Sequence, residues 1–439
     1  MSSSAGSPSA FAALHDRSFA WFWSAAVVSN IGTWTQQVTV PFVIYEVTGS
    51  SVWLGASVLA TNLPQVIASP LAGATADRVS RRTVLMVAIL VQIATSCLLA
   101  IMWMSHVRAA LPLLAVVFVS NFGAGYQLVA WQSIIPSLVS RDALSSAIRL
   151  NSIQFALGRS LGPALGGFVL GTAGPAWAFV VNAASFAGVF AVVATLPASG
   201  LMATGQRTSV LRDMREGLRY LHAHPIAQRA IVNGSVVVLI PFALVQVGPL
   251  LASQQFHVGD HGYAALMAAN GVGALLGAAT LSFAGNRWRR SVATVAGFGL
   301  GVLGSALVGA TGWLGVGIVA FTIIGASQSF ISVTQNTVLQ IRVTDAYRGR
   351  AMSVYLTCTM ASAPAGSFLF IGVAHLVPVA VVSEIFALIA LAYIGTLVRR
   401  PAVLHGLDRD DMTGSATVEI GGALPRSAAE RRVDSTTGG

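Results

Sequence analysis

GATADRVSRR, running from Gly73 to Arg82, gathers one carboxylate, Asp77, and three guanidinium groups, Arg78, Arg81 and Arg82, between two apolar runs near 51–76 and 83–105. Long uncharged runs on both sides of a compact charged loop are the pattern of a chain that crosses a bilayer, turns in water and crosses back. Asp77 among three Arg can form a charge lock at the membrane face, closed in one conformation and broken in another. Gly73 lets two helices approach closely there. An ordinary topology-fixing basic loop would explain the Arg residues but not the whole spacing.

Working outward, the same pattern recurs along the chain. Only 9% of the 439 residues are charged and 55% are hydrophobic, where a soluble chain carries about 25% charged residues. That balance excludes a soluble globular enzyme. The 44 Gly show no three-residue period, which excludes collagen. Apolar segments of spanning length fall near 19–45, 51–76, 83–105, 109–135, 146–171 and 175–197, then near 229–254, 262–285, 292–311, 313–340, 351–374 and 378–398. At ~20 residues per span, about twelve spans leave room only for short loops, one longer linker and tails. Backbone groups in hydrocarbon must be satisfied internally, and the segments lack barrel alternation, so each is predicted to be a helix. The expected fold is all-α and integral to the membrane, with twelve transmembrane helices in two pseudo-symmetric six-helix halves.

Arg placement sets the expected orientation. Basic residues near span ends stay cytoplasmic, and all Arg except Arg108, Arg149 and Arg159 fall on one side of the spans. Both termini are therefore predicted inside. The predicted organisation is a cytoplasmic N-tail at 1–18, a six-helix half at 19–197, a cytoplasmic linker at 198–228, a second six-helix half at 229–398 and a disordered cytoplasmic tail at 399–439. Within the linker, Leu211, Met214, Leu218 and Leu221 recur at helical steps while Arg212, Arg215 and Arg219 face away. This amphipathic helix is expected on the membrane surface.

All 25 basic residues are Arg. Without Lys there is neither a P-loop phosphate grip nor a Schiff-base nucleophile. Cys97 and Cys358 lie far apart in apolar runs, with no metal-ligand spacing. Gly299, Gly301 and Gly304 spell GxGxxG inside an apolar segment with no preceding strand, so no dinucleotide site is expected. No catalytic residue, metal or cofactor is predicted. The thinly spread Arg residues lack the interleaved aromatics of a nucleic-acid surface. The partner expected from composition is the lipid bilayer, and the chain is expected to be a monomer.

The halves repeat weakly: Asn30 matches Asn233, Pro41-Phe42 matches Pro241-Phe242, Asn62 and Arg81 match Asn270 and Arg289, and Gln132 and Asp142 match Gln335 and Asp345. Repeats of like orientation around a midplane site are a transporter architecture. Asn30, Trp34 and Gln37 form a polar stripe in the first span, and Asn62, Asn121, Gln127, Gln246, Asn270, Gln328 and Gln335 add uncharged polar groups in others. Converging, they would line an amphipathic cavity for a bulky organic molecule. Dispersed, they would only hold helices together. Arg159, near mid-span, is costly unless it faces the interior; it either meets an anionic substrate group or is locked to backbone carbonyls. Glu46 and Glu384 sit toward the outer ends of their spans, and each either snorkels to the interface or carries protons. In GRSLGPALGG, Gly158, Gly162 and Gly166 recur every four residues around Pro163, with Gly167 beside them. That is a bare face for close packing.

Gly73, Asp77, Arg78, Arg81 and Arg82 resemble the signature loop of major facilitator superfamily transporters. SNIGTWTQQVTVPFVIYEVTGS, IIPSLVSRDALSSAIRLNS, EGLRYLHAHP and LQIRVTDAYRGRAMS resemble the bacterial secretion-type subfamily that includes enterobactin-exporter-like and macrolide-efflux-like members, over about residues 15–398. In the second half Arg289 and Arg290 remain, but Gly285 stands where the loop's acidic residue would be. The motif at Gly158, Gly162, Pro163, Gly166 and Gly167 resembles the fifth-helix signature of exporting antiporters. The resemblance implies a proton-coupled exporter of a drug, siderophore or other secondary metabolite in the bacterial cytoplasmic membrane. An importer, an uncoupled facilitator, and a sensor with a transporter fold are the alternatives.

Overall fold

The computed structural model describes residues 11–76, 79–140, 142–196, 210–284 and 288–408, and every regular element among them is helical. The long helices are α1 (Arg17–Thr48), α2 (Ser51–Ala76), α3 (Arg81–Met104), α4 (Ala110–Ile134), α5 (Leu144–Ala173) and α6 (Pro175–Thr195). Beyond the shorter α7 (Val210–Ala223) come α8 (Pro225–Leu239), α9 (Pro241–Gln246), α10 (Gly248–Gln254), α11 (Asp260–Ala284), α12 (Arg290–Ala310), α13 (Leu314–Arg342), α14 (Asp345–Ala374), α15 (Val379–Val398) and α16 (Pro401–Gly406). Local chemistry sets several boundaries. Gly49 closes α1 at φ 60°, a conformation that costs glycine nothing. The Ser80 hydroxyl accepts from the Thr83 amide at 3.2 Å and caps α3.

Among the described residues ten helical stretches are long and apolar enough to cross a bilayer. Two further helices, α1 with 32 residues and α5 with 30, have the length but a more polar composition. The stretch predicted as one span over 229–254 is instead broken into α8, α9 and α10. Pro241 and Pro249 lack the amide that a continuous helix would use, and Ile240 leaves helical geometry before the first of them. The matching Pro41 stays inside a continuous α1.

The bundle has two unlike ends. One, the linker end, carries α7, α16 and the connection between α2 and α3; the other, the distal end, carries the turns after α1, α3, α5, α10, α12 and α14. At the distal end a single apolar core joins Val38, Ile44 and Leu54 to Leu250, Tyr263, Phe321, Phe370 and Phe386. At the linker end the core divides. Phe19, Leu85, Ile134 and Val189 belong to one cluster whose buried residues all fall within 13–196, and Leu221, Ile231, Leu339 and Tyr355 to another whose buried residues all fall within 221–407.

Two linker-end elements make contacts that the sequence does not specify. On α7, Leu221 is buried and Gly217 lies against the Arg350 carbonyl, while Glu216 pairs with Arg350 at 3.1 Å. The helix thus docks on α14, and Leu218, Arg215 and Arg219 stay exposed. Residues 401–408, placed by sequence in the disordered tail, dock at the end of α12. Asp408 accepts from the Ser291 amide at 2.8 Å and from its hydroxyl at 2.6 Å. The tail beyond 408 and the N-tail up to residue 10 lie outside the described residues.

Candidate functional site

Glycines decide where α1 presents its polar side chains. A Cβ at Gly158 would stand 2.6 Å from the Asn30 Oδ1, and one at Gly166 would stand 3.0 Å from the Thr35 Cα. Gly162 meets Trp34 in the same way. The bare face of α5 thereby seats α1 so that Asn30, Trp34 and Gln37 turn toward the bundle interior. There a cavity of about 210 Å³ opens among α1–α6, with Met360 of α14 on its far wall.

Asn30, Trp34, Gln37, Asn121 and Gln127, singled out in the sequence, all line this cavity. Gln36, Gln65, Gln92, Gln154 and Asn182 line it too. They carry the same signal, an amide inside an apolar run, and were legible in principle. The amides are braced against one another. Asn182 Nδ2 and the Ser96 hydroxyl both donate to Gln36 Oε1, at 2.8 and 2.9 Å; Gln65 Nε2 donates to Asn121 Oδ1 at 3.0 Å; and Gln92 donates to Gln127. None of the described lining residues is charged. Donors and acceptors beside Trp34, Trp131 and Phe155 suit a solute with an apolar body and a few polar groups.

The other singled-out amides lie elsewhere. Asn62 is not among the lining residues and donates to its own helix at Val58. Asn270 is buried between α11 and α13, donating to the Phe321 carbonyl at 3.3 Å. Gln335 joins a buried chain in which Tyr393 donates to Asn233 at 2.7 Å, Asn233 to Gln335 at 3.3 Å, and Gln335 to Thr294 at 2.9 Å. Gln328 is buried in α13, and Gln246 is half-buried in α9. Arg159 lies one turn beyond Phe155 on α5, partly buried and within electrostatic reach of Tyr355 of α14. Glu46 is exposed at the distal end of α1, and Glu384 of α15 packs beside Gly309 of α12.

Of the charged loop, Gly73 falls in the last turn of α2, and Asp77 and Arg78 lie outside the described residues. Arg81 donates to the Ser133 carbonyl at 2.9 Å and Arg82 to the Ala194 carbonyl at 2.5 Å. Each guanidinium thus sits at a helix C-terminus, where the exposed carbonyls favour a cation. At the distal end α5 packs on α11. A Cβ at Gly171 would stand 3.0 Å from the Ala264 Cβ, and one at Gly271 would stand 2.7 Å from the Ala164 Cβ. Among the described residues no group of three or more His, Cys, Asp or Glu could hold a metal.

An all-helical bundle with many spans and a polar cavity between its helices defines a multi-pass membrane transporter. Residues 8–420 match the transmembrane secretion effector family, and the chain belongs to that family of major facilitator transporters. Its relatives include the enterobactin exporter EntS of Shigella boydii, 27% identical over 81% of this chain and 85% of that protein. Macrolide efflux protein A of Streptococcus pyogenes is 23% identical over 80% of this chain and 88% of that protein. Among solved structures, the nucleoside transporter NupG superposes with a TM-score of 0.67 at 14% identity, covering 87% of this chain and 99% of that one. The chain is therefore a transporter and not an enzyme.

Proposed function

We propose that the chain exports a small organic molecule across the bacterial cytoplasmic membrane by alternating access, in exchange for protons. One observation carries this reading: a single apolar core joins both helix groups at the distal end, while at the linker end each group has its own core. Two bodies fused at one end and separate at the other can rock about the cavity between them. On this reading α1 and α5 also cross the membrane, giving twelve spans in two pseudo-symmetric halves. Their polarity is what a cavity wall requires. The Arg-rich linker end is cytoplasmic, with both termini there, and the cavity in this conformation faces the cytoplasm. The loop from Gly73 to Arg82 is then the cytoplasmic gate, its Asp77 lock closing when the halves rock the other way.

The names of two relatives, an enterobactin exporter and a macrolide efflux protein, support the outward direction. A second reading, an uncoupled facilitator, is favoured by the placement of Glu46 and Glu384, the two carboxylates within spans, near distal ends rather than beside the cavity. Efflux of siderophores, macrolides and cationic dyes from preloaded cells separates the two. Exchange with protons requires that export of some panel member collapse with a protonophore and in Asp77→Asn, with that variant still inserted in the membrane. Export that needs Asp77 but survives the protonophore selects the facilitator. Wild-type export by Asp77→Asn removes the lock.

A further inference from the structure

Arg159 stands near the middle of α5, roughly 22 Å from its start at 1.5 Å per residue, and one turn beyond the cavity-lining Phe155. Neither its guanidinium nor the hydroxyl of Tyr355, which lies within its electrostatic reach, has a hydrogen-bond or ion-pair partner among the described residues. The Tyr355 ring is fixed against α8, where a Cβ on Gly234 would come within 2.5 Å of it. Among the described residues none that lines the cavity is charged, and Glu46 and Glu384 lie toward the distal ends of their helices. A guanidinium inside a membrane protein is retained where it is paired or solvated, and here the described residues supply no anion. Its planar donor fork matches a carboxylate or similar oxyanion.

We propose that the transported solute is an organic anion whose carboxylate, or a comparable planar oxyanion, docks on Arg159 and accepts a hydrogen bond from the Tyr355 hydroxyl. Its apolar body lies against Trp34 and Phe155. Arg159 belongs to the α1–α6 group and Tyr355 to the α8–α15 group, so the anion bridges the two bodies that rock. This inference rests on the transport reading and narrows it to a substrate class.

The test is binding of naphthalene-2-carboxylate and its neutral shape-match, naphthalene-2-carboxamide, to the full chain in nanodiscs of zwitterionic lipid at low chloride. Charge-assisted hydrogen bonds predict that the wild type prefers the carboxylate by about tenfold or more. Arg159→Gln brings the ratio near one, Arg159→Lys keeps part of it, and Tyr355→Phe lowers carboxylate affinity a few-fold. Equal binding of the two probes by the wild type, or a preference that survives in Arg159→Gln, overturns the proposal. So does a preference that anionic lipid abolishes, because the site then belongs to lipid headgroups. Proteoliposome flux keeps the two readings apart. Flux of neutral solutes without any carboxylate preference leaves transport standing and removes the anion site. An Arg159-dependent preference without flux of any solute does the reverse.

Discussion

The Tyr263 hydroxyl of α11 donates a 2.8 Å hydrogen bond to the Val38 carbonyl of α1, and its ring stacks on Phe42 at 5.4 Å between centroids. This contact joins the two helix groups across the distal end. It exists only while that end is closed.

Tyr263→Phe keeps the stacking and removes the hydrogen bond, a loss of about 1 kcal/mol, or roughly fivefold in a conformational equilibrium. The expected result is a shift away from the distally closed state. Ser51 Oγ and His375 Nε2 meet at 3.4 Å in that state, so Ser51→Cys with His375→Cys, in a background without Cys97 and Cys358, reports it. Crosslinking by a short bifunctional reagent should fall several-fold when Tyr263→Phe is added. Unchanged crosslinking would mean that the hydrogen bond does not favour closure.

Gly271 gives a sharper perturbation of the same end. Its Cβ would meet the Ala164 Cβ at 2.7 Å, and that neighbour is a rigid part of α5 rather than the end of a flexible side chain. Gly271→Val should push α5 from α11 and stop the distal end from closing. The expected outcome is near-complete loss of the Ser51–His375 crosslink and at least a tenfold fall in transport, with membrane insertion intact. Transport at wild-type rate would show that tight contact here is dispensable.

Gln36 accepts from both Asn182 and Ser96 at buried positions. Gln36→Leu leaves those donors short of an acceptor, and each unsatisfied buried polar group costs about 1–3 kcal/mol. The melting temperature in detergent should fall by several degrees. Asn182→Leu made with Gln36→Leu removes much of the mismatch, so the double variant should melt above the sum of the single losses. Simple additivity would argue that the network is not coupled.

At the linker end, Asp408 caps α12 through both the amide and the hydroxyl of Ser291, while the Leu407 and Gly406 carbonyls accept from Arg290 and Arg342. Asp408→Ala removes a cap worth about 1 kcal/mol. Limited proteolysis near residues 399–408 should then quicken several-fold relative to the wild type. Cleavage at the wild-type rate would show that the Arg contacts alone hold α16.

Much of the architecture is legible in the chain because the bilayer is a harsh solvent. Apolar runs of spanning length can only be helices there, and the Arg bias and the loop from Gly73 to Arg82 carry a family resemblance that the match over residues 8–420 bears out. The period of Asn30, Trp34 and Gln37 put three polar groups on one face of α1, and the structure turns that face to the cavity. What sequence could not decide was which amides meet. Asn121 and Asn270 look alike in their runs, yet one lines the cavity and the other is spent bonding α13, because an amide's neighbours depend on helix rotation and on contacts between residues far apart in the chain. The same holds for Pro41 and Pro241, which matched as repeats while only the second breaks its helix, and for α7, whose Leu221 is buried in a cluster with Val354 and Tyr355 of α14. Hydropathy and charge fix which segments enter the membrane. Packing, through glycines such as Gly158 and Gly271, fixes which side chains face one another, and Arg159 came within electrostatic reach of Tyr355 only when the two groups of helices came together.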